Sequence, residues 1–181
     1  QNIYSVPADL KVFGLIALNT RMTIVRFENG DLWLHSPIKA NEHLFEEISK
    51  IGTVRWLVSP NLFHHMFIEQ WSLQFPEAKI IGSKGLEKKQ PNLQIENIQQ
   101  KSDAFLPDIQ TISIEGCPVL KENVFFHLPS KTLIVTDLFF YNPNVQGFTK
   151  GYFWLNKVLS EPNIPYLVKS SIKDKERFLA S

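Results

Sequence analysis

A chain of 181 residues with 44% hydrophobic and 20% charged side chains has the size and composition of a single globular domain over residues 1–181, which excludes intrinsic disorder. Its formal charge of +1, from 19 Lys and Arg against 18 Asp and Glu, lacks the basic footprint of a nucleic-acid binder, so no nucleic-acid partner is expected. The longest apolar run, Thr132 to Tyr141, is broken by Asp137 and falls far short of the ~20 residues of a membrane helix.

With Cys117 as its one cysteine, the chain can form neither an internal disulfide nor a multi-cysteine zinc site, which fits the cytoplasm or another reducing compartment. Gln1 to Ser5 show neither the basic nor the long apolar region of a leader, although a start at Gln leaves open that a segment was removed upstream. Oligomeric state leaves no signature in the sequence.

In chain order, Arg21 to Phe27 reads as a strand that turns at Asn29-Gly30 and returns as Leu32 to His35. Asn41 is placed to cap a helix with Leu44, Phe45, Ile48 and Ile51 at helical spacing, and Gly52 stands where a left-handed cap belongs. Val54 to Val58 is a buried strand. Phe63 to Phe75 is compatible with a second helix ended by Pro76, and Lys79 to Ile81 is a short third strand.

Gly85 to Lys101, polar and carrying Pro91, is expected to be an exposed connection with little packed structure. Ile109 to Ile114, Asn123 to His127 and Thr132 to Thr136 read as further strands. Tyr141 to Gly147 is a loop, and Tyr152 to Leu159 and Ile172 to Leu179 are closing helices. The alternation implies an α/β or layered α+β domain, a sheet core under helical covers.

In such domains ligands gather at the carboxyl ends of strands. That rule selects His35-Ser36, Asn61 to His65 and Asp137. The His64-His65 pair can bind a metal or shuttle a proton, or one imidazole can cap a helix while the other is solvated. Asp137 closes an apolar strand, so its carboxylate needs a cation or histidine partner, or else bonds backbone N–H groups of its own loop. His127 reads as a structural histidine, His43 as helix surface. Cys117 has no neighbour in sequence to activate its thiol, so it is expected to pack as a small apolar side chain. No phosphate-binding glycine loop is present.

The order of elements and the segment Ser59-Pro60-Asn61-Leu62-Phe63-His64-His65 resemble the metallo-β-lactamase superfamily. Laid on that family's T-H-x-H-x-D-H motif, the segment puts Pro60 and Leu62 at the first two histidines, His64 at the aspartate and His65 at the third histidine. Ser130 to Phe139 resembles the family strand that ends in Gly-Asp-x-Leu-Phe, which matches Asp137 to the metal-bridging aspartate. Cys117 stands where a Gly-His would place an imidazole, and no histidine follows His127.

The resemblance implies a four-layer αββα sandwich, shortened at the C-terminus, with a degenerate metal site in which a two-metal centre is not expected. Two functions follow. One is a non-catalytic or ligand-binding domain whose cleft, with His35, Asn61 and Cys117 as further candidates, is filled by Pro60 and Leu62 or reused to bind a small molecule or a protein. The other is a mononuclear hydrolase holding one zinc or iron ion with His64, His65 and Asp137, although adjacent side chains on a helix diverge by about 100°. Metal-free acid–base chemistry by a His64 and Asp137 pair is open if the two touch.

Overall fold

The chain opens on β-structure because residues 3 to 26 are rich in β-branched and aliphatic side chains separated by polar ones, a period-2 pattern that suits a half-exposed ribbon. In the computed structural model, which describes residues 2–12 and 14–181, these residues form strands β1 (Ile3–Val12) and β2 (Ile16–Arg26). Gln1, with which the leader reading begins, lies outside the described residues. The two strands pair antiparallel, Leu10 opposite Leu18, and β2 then pairs antiparallel with β3 (Asp31–His35) across the Asn29-Gly30 turn.

Asn41 caps α1 (Glu42–Ile51) as expected, its side chain accepting the Leu44 N–H at 3.0 Å. The helix returns the chain to β4 (Thr53–Ser59), parallel to β3. Gly52 is not the left-handed cap expected: its φ of 170° is extended backbone. Glycine is required there by space, since a Cβ would lie 2.2 Å from the Gly30 carbonyl. A bulge at the start of the β3 and β4 pairing sets Val54 and Leu57, three residues apart, on the same face, with Arg55 turned outward.

The second helix is shorter than its apolar pattern suggests. α2 spans Ile68–Gln74, and the residues before it form turns, because the Asn61 side chain takes the N–H groups of Phe63 and His64. β5 (Lys79–Gly82) follows, parallel to β4. The polar stretch from Gly85 to Lys101 is a correction. It holds a 3-10 turn over Leu86–Lys88, strand β6 (Ile95–Asn97) parallel to β5, and the short helix α3 (Ile98–Lys101). Leu86 and Ile98 are fully buried, two anchors that the surrounding Gln and Lys residues hide from composition.

The second sheet is antiparallel: β7 (Ile109–Ser113), β8 (Asn123–His127) and β9 (Thr132–Ile134), the last ending two residues early. Three helices close the chain. α4 (Gly147–Leu155) starts five residues before its expected position, α5 (Tyr166–Ser170) was not foreseen, and α6 (Lys175–Ala180) is the trimmed form of the last expected helix. No described helix is long and apolar enough to cross a membrane.

Three apolar clusters define four layers. Met22, Ile24, Leu34 and Leu57 of the first sheet pack against Phe45 and Ile48 of α1 and Trp71 of α2. Between the sheets lie Val25, Trp33 and Val58 from one side and Ile109, Phe125 and Ile134 from the other. Beyond the second sheet, Val124, Leu120 and Cys117 meet Val168, Ile172 and Phe178. The αββα sandwich is the architecture expected.

His35 belongs to the inter-sheet layer. It is 1% exposed, stacked on Trp33 and edge-on to Phe125, and neither ring nitrogen has a hydrogen-bond partner among the described residues. Burial, with a smaller contribution from His64, lowers its pKa to about 3. The unfolded chain therefore takes up a proton below the ordinary value of 6.5 that the folded one refuses down to about 3. Stability from this residue is complete above that upper value and is lost as pH falls through the window. Urea unfolding at pH 4 to 7 should show His35→Phe with a shallower acid loss than wild type, by up to about 1.4 kcal/mol per pH unit.

Candidate functional site

The site is built from three loops at the carboxyl ends of strands. Ser36 follows β3 with φ 57°, in the left-handed region that only a few per cent of non-glycine residues adopt. Its N–H is held by the Val58 carbonyl at 2.8 Å. The residues after it are tied down by α2, where Trp71 Nε1 donates to the Ile38 carbonyl at 2.7 Å and the Gln70 amide exchanges two hydrogen bonds with the Ala40 backbone.

The second loop follows β4. Asn123 at the head of β8 donates twice to the Pro60 carbonyl, from its backbone N–H at 2.8 Å and its side chain at 3.1 Å, and Ser83 Oγ donates to the same oxygen. Ser59 Oγ donates to the His64 carbonyl at 2.8 Å. Asn61, fully buried, uses its Oδ1 to shape the turn and its Nδ2 to reach Asp137 Oδ2 at 2.8 Å, Thr136 Oγ1 at 3.2 Å and Glu122 Oε2 at 3.3 Å.

The third loop follows β9. Glu122, 1% exposed, accepts the N–H groups of Thr136 and Asp137, both at 2.9 Å, and so fixes the backbone that presents the Asp137 carboxylate. His64 Nε2 lies 3.3 Å from both Asp137 oxygens, and its Nδ1 is hydrogen-bonded to Ser36 Oγ. Because a carboxylate only accepts, Nε2 carries a proton, which leaves Nδ1 of the neutral ring to accept from the Ser36 hydroxyl.

Charge follows from this geometry. Burial opposes the His64 cation, but the Asp137 charge and hydrogen bond, with Glu122 further off, outweigh it and raise the imidazole above its ordinary value. Burial alone would raise Asp137, yet His64 and the Asn61 amide hold it below the usual carboxylate range. Glu122 is raised, by burial first and the Asp137 charge second, against the pull of its N–H donors. Tyr152 is raised by burial and by Asp137.

Ser36, His64 and Asp137 open on a cavity of about 490 Å³. Its walls are otherwise mostly apolar: Leu10 and Leu18 from the first hairpin, Ile38, Phe67, Leu120, Phe140, Phe153 and Val168. Phe63, Met66, Val119 and Leu167 line it while remaining about half exposed, which places them toward solvent.

The structure thus brings His64, Asp137 and Asn61 together and separates the other candidates. His65 turns away, its Nδ1 accepting from Gln90 Nε2 at 3.0 Å. Cys117 packs in the third apolar cluster with Sγ 3.2 Å from Ser171 Oγ, and neither it nor His35 lines the cavity. His127 bonds Ser130 Oγ through Nδ1 at 2.6 Å, a structural role.

Among the described residues, no cluster of three or more His, Cys, Asp or Glu side chains could hold a metal ion. The donor set expected for one zinc or iron ion therefore does not assemble here, since His65 points elsewhere and both His64 nitrogens are engaged within the protein.

Ser36 and Glu122 are the site residues that sequence reasoning undervalued. The first showed only as a neighbour of His35, and the second sits in an ordinary polar run, Lys121-Glu122-Asn123. Glu122→Ala strands the half-buried N–H groups of Thr136 and Asp137 and is expected to cost about 2–5 kcal/mol in denaturant unfolding. Glu122→Gln, keeping one acceptor oxygen, should cost roughly half as much.

A family model described as a domain of unknown function, DUF4336, matches residues 2–86, a stretch that holds Ser36, Asn61 and His64. No curated protein matches. Solved structures do: the DIM-1 metallo-β-lactamase exposed to ceftazidime is 14% identical, with a TM-score of 0.59 over 82% of this chain and 72% of that one. A metallo-β-lactamase from Pontibacter korlensis is 11% identical, with a TM-score of 0.57 over 81% of this chain and 72% of that one. At this identity the likeness concerns architecture, and the chain has the metallo-β-lactamase-like fold.

Proposed function

We propose that the protein, acting as one domain over residues 1–181, binds a small molecule with an apolar body in the 490 Å³ cavity and does so without the two-metal hydrolase centre of the enzymes whose fold it shares. The observation that carries this is the cavity itself, an apolar enclosure of ligand size with one polar cluster in its wall. The apolar wall takes up a hydrocarbon portion, and the Ser36 hydroxyl, His64 and Asp137 meet a polar group at its end.

The metallo-β-lactamase neighbours make a metal worth testing, and a single zinc or iron ion on His64, His65 and Asp137 is the alternative. It has less support, because the His65 ring would have to leave Gln90 and reverse direction.

Calorimetric titration with straight-chain alcohols and carboxylates separates the two. Saturable binding of one molecule per chain is expected, tightening up to about fourfold per added methylene until the cavity is full. Val119→Trp, which puts a bulky ring among the half-exposed lining residues, should weaken binding at least tenfold. Absence of saturable binding, or one tightly held zinc or iron ion per chain lost together with His65→Ala, would overturn the reading.

A further inference from the structure

We infer that Ser36 is a nucleophile, activated by His64 and Asp137, that transfers the acyl group of an apolar carboxylic ester to water. This rests on the cavity being a ligand site, and it adds a reaction and a substrate class to it.

The order of contacts is the first observation. Ser36 Oγ is hydrogen-bonded to one nitrogen of His64, and the other nitrogen lies 3.3 Å from the Asp137 carboxylate. Such a chain of hydroxyl, imidazole and carboxylate is recognised by geometry and roles, whatever the order of its members in the sequence or the fold that carries them. Here the three residues come from the ends of β3, β4 and β9, so the fold rather than a local motif assembles them.

The orienting group is itself held. Asp137 receives the Asn61 amide at 2.8 Å, and its backbone N–H is fixed by buried Glu122. A carboxylate so positioned keeps the imidazole in the tautomer whose free nitrogen faces the hydroxyl.

The third observation is the Ser36 backbone. A non-glycine residue with φ 57° at the end of a strand is strained, and such strain concentrates where a side chain must be presented to a ligand. The Val58 carbonyl and the loop contacts of α2 hold that conformation. The hydroxyl opens on the apolar cavity, which suits an ester with a hydrocarbon acyl chain, and the half-exposed residues at its rim leave water a way in.

The chemistry balances with water as the co-reactant. Ser36 Oγ bonds to the ester carbonyl carbon as its proton passes to His64 Nδ1, while the Nε2 proton stays on the hydrogen bond to Asp137. The bond to the leaving alcohol breaks as Nδ1 returns that proton to the alcohol oxygen. Water then adds to the acyl carbon and gives a proton to Nδ1, Ser36 leaves as its hydroxyl, and the carboxylic acid departs. Nothing is oxidised or reduced.

The test is covalent labelling of the full chain with an octyl fluorophosphonate, read by intact mass and peptide mapping, beside turnover of p-nitrophenyl octanoate. One adduct on Ser36 is expected, absent in both Ser36→Ala and Ser36→Gly, the second of which suits the positive φ and guards against misfolding. Labelling should slow at least about a hundredfold in His64→Gln and stay unchanged in His65→Ala. Decanoate binding is measured in parallel on the wild-type protein, so that a formed but unreactive cavity is told apart from the lack of a ligand site. Wild-type protein that binds decanoate yet takes no label, or label that persists in both Ser36 variants, overturns the nucleophile and leaves the cavity reading standing. Protein that neither binds decanoate nor reacts overturns both.

Discussion

A carboxylate sealed at the junction of two sheets sets the terms for this molecule. Glu122 is buried, and an ionisable group there is tolerated only when its oxygens are met by donors. Those donors come from two directions: the Asn61 amide from the loop after β4, and the N–H groups of Thr136 and Asp137 from the loop after β9. One side chain therefore ties a loop of the mixed first sheet to a loop of the antiparallel second sheet. The meeting of His64 with Asp137 is a consequence of that tie, since each is a near neighbour of a residue that Glu122 holds.

The same closeness forces the two carboxylates apart in acidity. Asp137 has the imidazole and the Asn61 amide for partners and is held ionised, whereas Glu122 has burial and the Asp137 charge against it and is raised. The His64 and Asp137 pair lines the cavity, while Glu122 works through backbone donors behind it. Tyr152, also lining the cavity, is raised by burial and then by the Asp137 charge, both of which disfavour its ionised form. An apolar cavity with one hydrogen-bonded His64 and Asp137 pair in its wall discriminates between ligands by where their polar group falls along the chain.

Much of the scaffold was legible because its signals are local. The Asn29-Gly30 turn, the Asn41 cap and the apolar strands β4, β5 and β8 each follow from residues a few positions apart. The misreadings share a different cause. Gly52 was placed by helix-end statistics, but its reason is the Gly30 carbonyl across the β3 turn. Leu86 and Ile98 are isolated apolar residues in a polar stretch, and only the neighbouring β5 edge gives β6 something to pair with. In the site, strand-end position sufficed to mark Asn61, His64 and Asp137. It could not tell His64 from His65, because that choice depends on the direction of two adjacent side chains, one toward Ser36 and one toward Gln90.

That direction also decides what kind of chemistry the fold can host here. A zinc site needs at least three lone pairs converging on one point about 2 Å from each donor. In this chain Pro60 and Leu62 offer none, His65 is turned aside, and the His64 lone pair is occupied by a hydroxyl. What remains is a line of three groups in which the Ser36 hydroxyl donates to His64 Nδ1 and His64 Nε2 donates to the Asp137 carboxylate. Convergent donors hold a cation, whereas donors arranged in series hold a proton and can pass it along. The strand-end position is common to both, and the difference lies in whether the side chains point at one centre or at one another.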